Sequence, residues 1–247
     1  MHRALTFLRT IVTWVAGAIA TVIGATAVVV IALINDTSPL IERVIWGWSR
    51  VWLVSSGTKL EVVGREHVDP EKSYVVVANH LSTLDIMACF LAVRIPIRYL
   101  AKKELFKVPI LAQGMRAVGI IEVDREARSA VHAEVNRQAQ DLIAKKRSLI
   151  IYPEGTRPRD GVMRPFKKGA FTMAISGGLP ILPVTISGSY EAFPPGQGWV
   201  RGGTIRVVID EPIPTEGLAQ SDVADLRDRV QALIASRVTA MGGKVSV

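Results

Sequence analysis

The segment Asn79-His80-Leu81-Ser82-Thr83-Leu84-Asp85 sets an imidazole and a carboxylate five residues apart. Five residues is too far round a helix for the two side chains to share a face. A turn ahead of a helix start removes the difficulty. The apolar run 74–78 reads as a buried strand and 86–91 as a helix, capped by Ser82 or Thr83. Asp85 then falls in the first helical turn, where a negative charge is favoured. His80 sits at the carboxyl end of the strand, the edge at which open α/β sheets bind ligands. If Asp85 accepts the proton of one ring nitrogen, the other is left as a general base. Such a pair is a base and its orienter without a nucleophile, and it fits a reaction whose nucleophile is a substrate hydroxyl. The bland alternative is a capping aspartate beside a loop histidine.

Residues 150–157, Ile-Ile-Tyr-Pro-Glu-Gly-Thr-Arg, carry a strand into a turn holding a carboxylate, a glycine and a guanidinium. Gly155 permits a positive φ or a close approach of ligand to backbone. Glu154 can accept hydrogen bonds from substrate hydroxyls, and Arg157 can hold a phosphate. Arg159, Arg164, Lys167 and Lys168 follow, a basic run that is either a solvated face or the flank of that phosphate site. Residues 119–125 read as a strand ending at Asp124-Arg125, with Arg125 free to bind a phosphate near a helix start or to pair with Glu122 or Asp124. Lys102 and Lys103 end another strand and are either further cations for the site or solvated surface. Pro183 opens the apolar stretch 182–186 and reads as a strand entry or edge.

The elements that position these residues alternate. Strands are expected at 60–63, 74–78, 97–101, 120–123, 149–152, 181–186 and 205–209, with helices near 82–92, 127–144 and 169–176. Val223, Leu226, Val230, Leu233 and Ile234 give a last helix an apolar face. The pattern predicts an α/β fold, a mixed and largely parallel sheet flanked by helices, over residues 58–247.

Residues 1–57 have a different texture. Positions 11–34 are apolar or small apart from Thr and one Trp, and a helix of that length, about 36 Å, exceeds a bilayer core of roughly 30 Å. Arg3 and Arg9 precede it, as in a signal peptide, but the run is long and no small-x-small cleavage site follows, so a retained membrane segment is expected. A second helix is expected over 40–54, its Trp residues at the membrane–water interface and Arg43 and Arg50 within reach of lipid phosphates. The arginines flanking the first segment balance, leaving a single span and a hairpin dipping into one leaflet both open. A formal net charge of +8 calls for an anionic partner. The Trp residues gather in the membrane segments instead of alternating with the cations, which argues against a nucleic-acid platform. The lone cysteine, Cys89, excludes an intramolecular disulfide and reads as a small core residue.

Four of these stretches, in order, resemble the motif blocks of the 1-acyl-sn-glycerol-3-phosphate acyltransferase family of glycerolipid acyltransferases. His80 to Asp85 matches His-x-x-x-x-Asp, Gly119 to Arg125 the second block, Tyr152 to Arg157 looks like Phe-Pro-Glu-Gly-Thr-Arg with Tyr for Phe, and Leu182 to Ile186 is similar to the proline-containing fourth. The first block alone is weak; together they are specific. Pro158 departs from the pattern, which more often has a small polar residue there. The resemblance implies a glycerol-3-phosphate acyltransferase-like fold. It also implies a reaction in which His80, oriented by Asp85, deprotonates the sn-2 hydroxyl of lysophosphatidic acid for attack on the thioester of acyl-CoA or acyl-carrier protein, with no acyl-enzyme. Arg125, Glu154, Gly155, Thr156, Arg157, Lys102 and Lys168 would bind substrate, and Pro183 would shape the acyl-donor side. No metal and no cofactor beyond the acyl-donor co-substrate are implied. The partners implied are membrane lipids, at the cytoplasmic face of a bacterial inner membrane. A relative acting on another lysolipid or on glycerol 3-phosphate would keep the same motifs, and an inactive membrane-anchored lipid binder is the alternative of another class.

Overall fold

The computed structural model describes residues 2–123, 141 and 144–246. The seven strands of its main sheet are β1 (Thr58–Val63), β2 (Val75–Ala78), β3 (Ile97–Lys102), β4 (Ile121–Val123), β5 (Ser148–Ile151), β7 (Ile181–Ser187) and β8 (Gly203–Ile209). Their order is β1-β8-β7-β2-β5-β3-β4. Every pairing is parallel except β7 with β8. The mixed, largely parallel sheet is therefore as expected. Two short strands, β6 (Val162–Met163) and β9 (Lys244–Val245), pair separately.

The helices on the sheet are α3 (Leu84–Val93), α4 (Leu111–Val118), α5 (Gly169–Gly177), the single turn α6 (Ser189–Ala192) and α7 (Val223–Ala240). The run Val75-Val76-Val77-Ala78 is buried on both faces, as a central parallel strand must be. The two-residue period divides it: Val76 and Ala78 join the cluster that holds α3, while Val75 and Val77 join the cluster with Phe171 of α5 and Val230 and Ile234 of α7. The helix expected over 127–144 lies almost wholly outside the described residues. Helix α4, by contrast, falls in a stretch from which no helix was expected.

At the N-terminus, α1 (His2–Ile34) and α2 (Pro39–Ser55) form an antiparallel hairpin. Pro39 occupies the first helical position of α2, where its missing N–H costs nothing. The α1 face toward α2 is made of small residues: Thr13, Gly17, Thr21 and Gly24. Trp48 and Trp52 fill the space they leave, with Trp48 Nε1 donating to Thr21 Oγ1 at 2.9 Å. Trp52 and Ile45 belong to the main core, so this side of α2 packs on the protein and not, as expected, on the membrane interface. Trp46 is stacked under the Arg94 guanidinium at 5.2 Å. A buried ion pair fastens the hairpin to the sheet: Arg98 of β3 donates to Glu42 of α2 at 2.5 and 3.3 Å, and to the carbonyl groups of Ile97 and Val118. The outer face of α1, including Phe7, Val15, Ile19 and Ile23, is exposed and apolar.

Candidate active site

Sheet register brings the two chemical loops together. Val77 of β2 lies opposite Ile151 of β5. Counting three residues on from each reaches His80 and Glu154, side by side at the carboxyl edge. The His80 backbone N–H indeed donates to Glu154 Oε1 at 2.7 Å.

His80 Nδ1 meets Asp85 Oδ2 at 2.9 Å. The same oxygen accepts the N–H groups of Leu81 and Ser82, each at 2.7 Å. Those two donors fix the carboxylate in the turn before α3 and aim it at the ring. Asp85 is wholly buried while the His80 side chain keeps 13% of its surface, so the orienter is dry and the base is reachable. Nδ1 is engaged by the carboxylate, leaving Nε2 with no partner among the described residues and able to act as a base. Tyr152 stacks flat on the imidazole, centroids 3.9 Å apart and planes 9° apart, and blocks ring rotation on that side. Of the two capping candidates, Ser82 makes the bond: its Oγ accepts the Leu84 N–H at 3.2 Å while its own hydroxyl donates to the Phe193 carbonyl at 2.7 Å.

Glu154 is buried, and its two carboxylate oxygens accept backbone N–H groups, from His80 and from Arg164 at 2.8 Å. Burial pushes its pKa up to about 7 against the pull of those donors. Each oxygen holds one of the two loops, a bracing role beside the expected contact with substrate hydroxyls, for which each oxygen keeps a lone pair. Gly155 has φ +76°, and a Cβ there would come within 2.9 Å of Lys167 Nζ; the missing side chain lets the Lys167 ammonium pass over the turn. Arg157 reaches back to donate to Thr83 Oγ1, setting its guanidinium at the start of α3. Thr156 is exposed on the loop after β5, Lys168 is exposed at the start of α5, and Lys102 is exposed at the end of β3, on the carboxyl edge of the sheet. Pro183 is buried inside β7 and not at a strand entry or sheet edge. Its carbonyl accepts the Asp210 N–H at 3.0 Å just beyond the last β7–β8 pair, Val184 with Ile209, so the reciprocal bond that a proline cannot make falls at the end of the ladder and not within it. Arg125 lies outside the described residues.

Beside the pair opens a cavity of about 410 Å³ between α1, α2, α3 and α4. Thr83 and Leu84, from the turn that carries Asp85, line it together with Trp48, Trp52, Phe90 and Val118. Tyr99, also on its wall, stacks on Tyr152, so a continuous aromatic contact runs from the cavity to His80. The sequence pattern assigned no role to Asn79 and held no sign of the Tyr99–Tyr152 stack. Asn79 clamps the backbone of Ile186 from both sides, at 2.7 and 2.8 Å, tying the His80 turn to β7. A buried polar residue next to the histidine was the one available signal. Among the described residues, no three His, Cys, Asp or Glu side chains gather as a metal site.

The fold and site together describe an α/β domain with a His–Asp pair at the carboxyl edge of its sheet and an apolar chamber roofed by an N-terminal helical hairpin. A family model described as Acyltransferase matches residues 59–187, and the chain belongs to that family. It is 33% identical over 175 residues to 1-acyl-sn-glycerol-3-phosphate acyltransferase alpha of Homo sapiens, covering 71% of this chain and 62% of that one. The 1-acyl-sn-glycerol-3-phosphate acyltransferase of Saccharomyces cerevisiae is 34% identical over 188 residues, with 75% and 62% covered. The chain thus spans about three-fifths of the length of these relatives. A crystal structure of the 1-acyl-sn-glycerophosphate acyltransferase of Thermotoga maritima superposes with a TM-score of 0.85 over the whole of both chains at 24% identity, and so shares the fold.

Proposed function

We propose that the chain transfers an acyl group from acyl-CoA or acyl-carrier protein to the sn-2 hydroxyl of 1-acyl-sn-glycerol 3-phosphate, giving phosphatidic acid. One observation carries the reading: the 2.9 Å His80–Asp85 bond spans a turn whose own Thr83 and Leu84 line the apolar cavity. A base, space for an acyl chain and the Arg157 guanidinium therefore meet at one point. His80 Nε2 takes the hydroxyl proton as the oxygen bonds to the thioester carbon, and the Asp85 carboxylate stabilises the imidazolium that forms. The adduct collapses with loss of the C–S bond, and the imidazolium returns its proton to the departing thiolate.

The reaction needs no nucleophile from the protein. The Ser82 hydroxyl is spent on Phe193, and burial pushes the Cys89 thiol up to about 12. Arg157, with Arg125, Lys168 and Lys102, offsets the charge of the acceptor phosphate. Gly155 and Thr156 shape the loop that meets it, Glu154 holds the His80 backbone, and Pro183 keeps β7 in register on the donor side.

Residues 1–57 serve as the membrane anchor for the domain 58–247. One helix, Arg3–Ile34, is long and apolar enough to cross a bilayer. It is nevertheless held to the folded domain near both ends, by Val200 on Thr10 and by Lys145 on Asp36. That supports a hairpin lying in one leaflet over a single span, with the active edge at the cytoplasmic surface.

The test is acyl transfer by the full chain in detergent from palmitoyl-CoA and palmitoyl-acyl-carrier protein to lysophosphatidic acid, following released thiol and phosphatidic acid together. The expected result is transfer that His80→Ala abolishes. Absence of transfer from both donors, or transfer that survives His80→Ala, removes the proposal. Lysophosphatidylcholine and glycerol 3-phosphate rank the acceptors.

A further inference from the structure

We infer that the loop 194–202 is a third membrane-contacting element, seating Trp199 in the headgroup layer of a phospholipid bilayer and coupling that contact to the His80–Asp85 pair through Phe193. The inference rests on the reading of the helical hairpin as a membrane anchor.

Trp199 is 51% exposed and sits 6.1 Å, centroid to centroid, from Phe7 of α1, itself 54% exposed. An indole on a loop that reads Pro-Pro-Gly-Gln-Gly-Trp has little to pack on, yet this loop is not loose. Val200, the next residue, is fully buried, and its N–H donates to Thr10 Oγ1 at 2.9 Å. The Arg9 guanidinium donates to the Arg201 carbonyl. The two bonds stitch the loop to α1 and hold the Trp199 ring against Phe7, at a helix end where Leu5, Leu8 and Ile11 are exposed too. The patch thus continues the outer apolar face of α1. Arg9 and Arg201 flank it, the sign that anionic lipid headgroups attract. An amphipathic ring among cations at the rim of an apolar face has the chemistry of the bilayer interface.

The other end of the segment reaches the site. Phe193 is buried, faces Trp14 edge-on at 6.1 Å and lines the apolar cavity. Its carbonyl accepts the Ser82 hydroxyl at 2.7 Å, and the Ser82 N–H holds Asp85 Oδ2 at the same distance. Six residues therefore separate a membrane-facing indole from the hydrogen bond that aims the catalytic carboxylate. Trp199 is a positioning residue: bilayer contact favours the loop conformation in which Phe193 closes the cavity wall and Ser82 is held.

The test uses the full chain with Trp199→Cys carrying an environment-sensitive fluorophore, since Cys89 is buried. The exposed position Glu216→Cys, beside Tyr74 and Pro180 at the opposite edge of the sheet, is the control. On phosphatidylcholine–phosphatidylglycerol vesicles the label at 199 is expected to shift to the blue and to be quenched by shallow lipid-borne quenchers, while the label at 216 does neither. A label at 199 that stays water-like on protein that cosediments with the vesicles overturns the inference and leaves the anchor standing. Failure of both labelled proteins to cosediment overturns the two together. Kinetically, Trp199→Ala is expected to raise KM about tenfold for acceptor embedded in vesicles, with little change for acceptor dispersed in detergent, and Trp199→Phe to restore most of the loss. Equal losses on both forms of acceptor assign Trp199 a purely structural role and overturn the coupling.

Discussion

Asp85 Oδ2 is surrounded by three donors within 2.9 Å, whereas Gly17 leaves the space that the Trp52 ring fills and a side chain would occupy. The first region, the carboxyl edge of β2 and β5, is defined by direction: each polar atom has an assigned partner and small displacements cost hydrogen bonds. The second, the α1–α2 hairpin, is defined by volume: small residues on one helix accommodate indoles on the other, with only two side-chain bonds between the helices among the described residues, Trp48 to Thr21 and Thr13 to the Ser55 carbonyl. The proposed acyl transfer needs both kinds of order. A proton moves only along an aimed bond, while an alkyl chain needs only a dry space of the right size. Substitutions should therefore fail differently in the two regions.

The sharpest contrast comes from the site itself. His80→Ala should lower acyl transfer by ~10²–10⁴-fold, the usual range for a positioned base, with little change in thermal midpoint because the ring lies at the edge of the core. Asp85→Asn should lose nearly as much activity while folding. The buried Oδ1 has no partner among the described residues, so the amide nitrogen can turn there and leave the oxygen to its three donors. What is lost is the charge that stabilises the imidazolium. Unfolding of Asp85→Asn in calorimetry would show the carboxylate to be structural first.

The joint between the regions breaks by another route. Arg98→Met leaves Glu42 buried and unpaired and should cost ~3–5 kcal/mol, measured by chemical unfolding in detergent. Arg98→Met with Glu42→Leu should recover most of that. A double variant as unstable as the single one would mean that Arg98 acts through its bonds to the Ile97 and Val118 carbonyl groups and not through the ion pair.

The same division explains what was legible in the sequence. The strands, α3 and the meeting of His80 with Asp85 follow from local patterns: an apolar run, a cap, a five-residue spacing. Helix α4 was invisible because Pro109 and Gly114 break its pattern, and it forms where Gly114 lets it approach Ala25. The inward turn of Trp48 and Trp52 becomes readable only when Gly17 and Thr21 are known to face them. The role of Glu154 needed the register of β2 on β5, and the Arg98–Glu42 pair joins residues 56 apart. Contacts set by tertiary pairing leave no trace in a single strand or helix.

Glu154 offers a finer test of the directional region. Burial raises its folded pKa to about 7 from the ordinary glutamate value of 4.5, so between those values the folded protein holds more protons than the unfolded chain. This group's contribution to stability therefore falls as pH rises through that window and is level above it. Glu154→Gln removes the titration but turns an amide nitrogen toward one of two backbone donors, at a cost of ~1–3 kcal/mol. The variant should be the less stable protein at pH 5, and a change of roughly 3 kcal/mol in its favour should close or reverse the gap by pH 8. A gap that stays constant with pH would mean that the carboxylate is solvated.

The smallest effects should separate two glycines seven residues apart on α1. A Cβ on Gly17 would overlap the Trp52 ring, so Gly17→Ala should cost ~1–3 kcal/mol by forcing the helices apart. A Cβ on Gly24 would lie 3.7 Å from Val44 and 3.8 Å from Trp48, ordinary contact distances, so Gly24→Ala should stabilise the helix by ~0.5–1 kcal/mol. Its methyl enters the wall of the apolar cavity. One methylene of lost room is worth ~0.8 kcal/mol, which should shift donor preference about fourfold toward the shorter of two thioesters in direct competition. A stabilised Gly24→Ala with unchanged chain preference would mean that the acyl chain does not reach α1, and that volume in the hairpin serves folding alone.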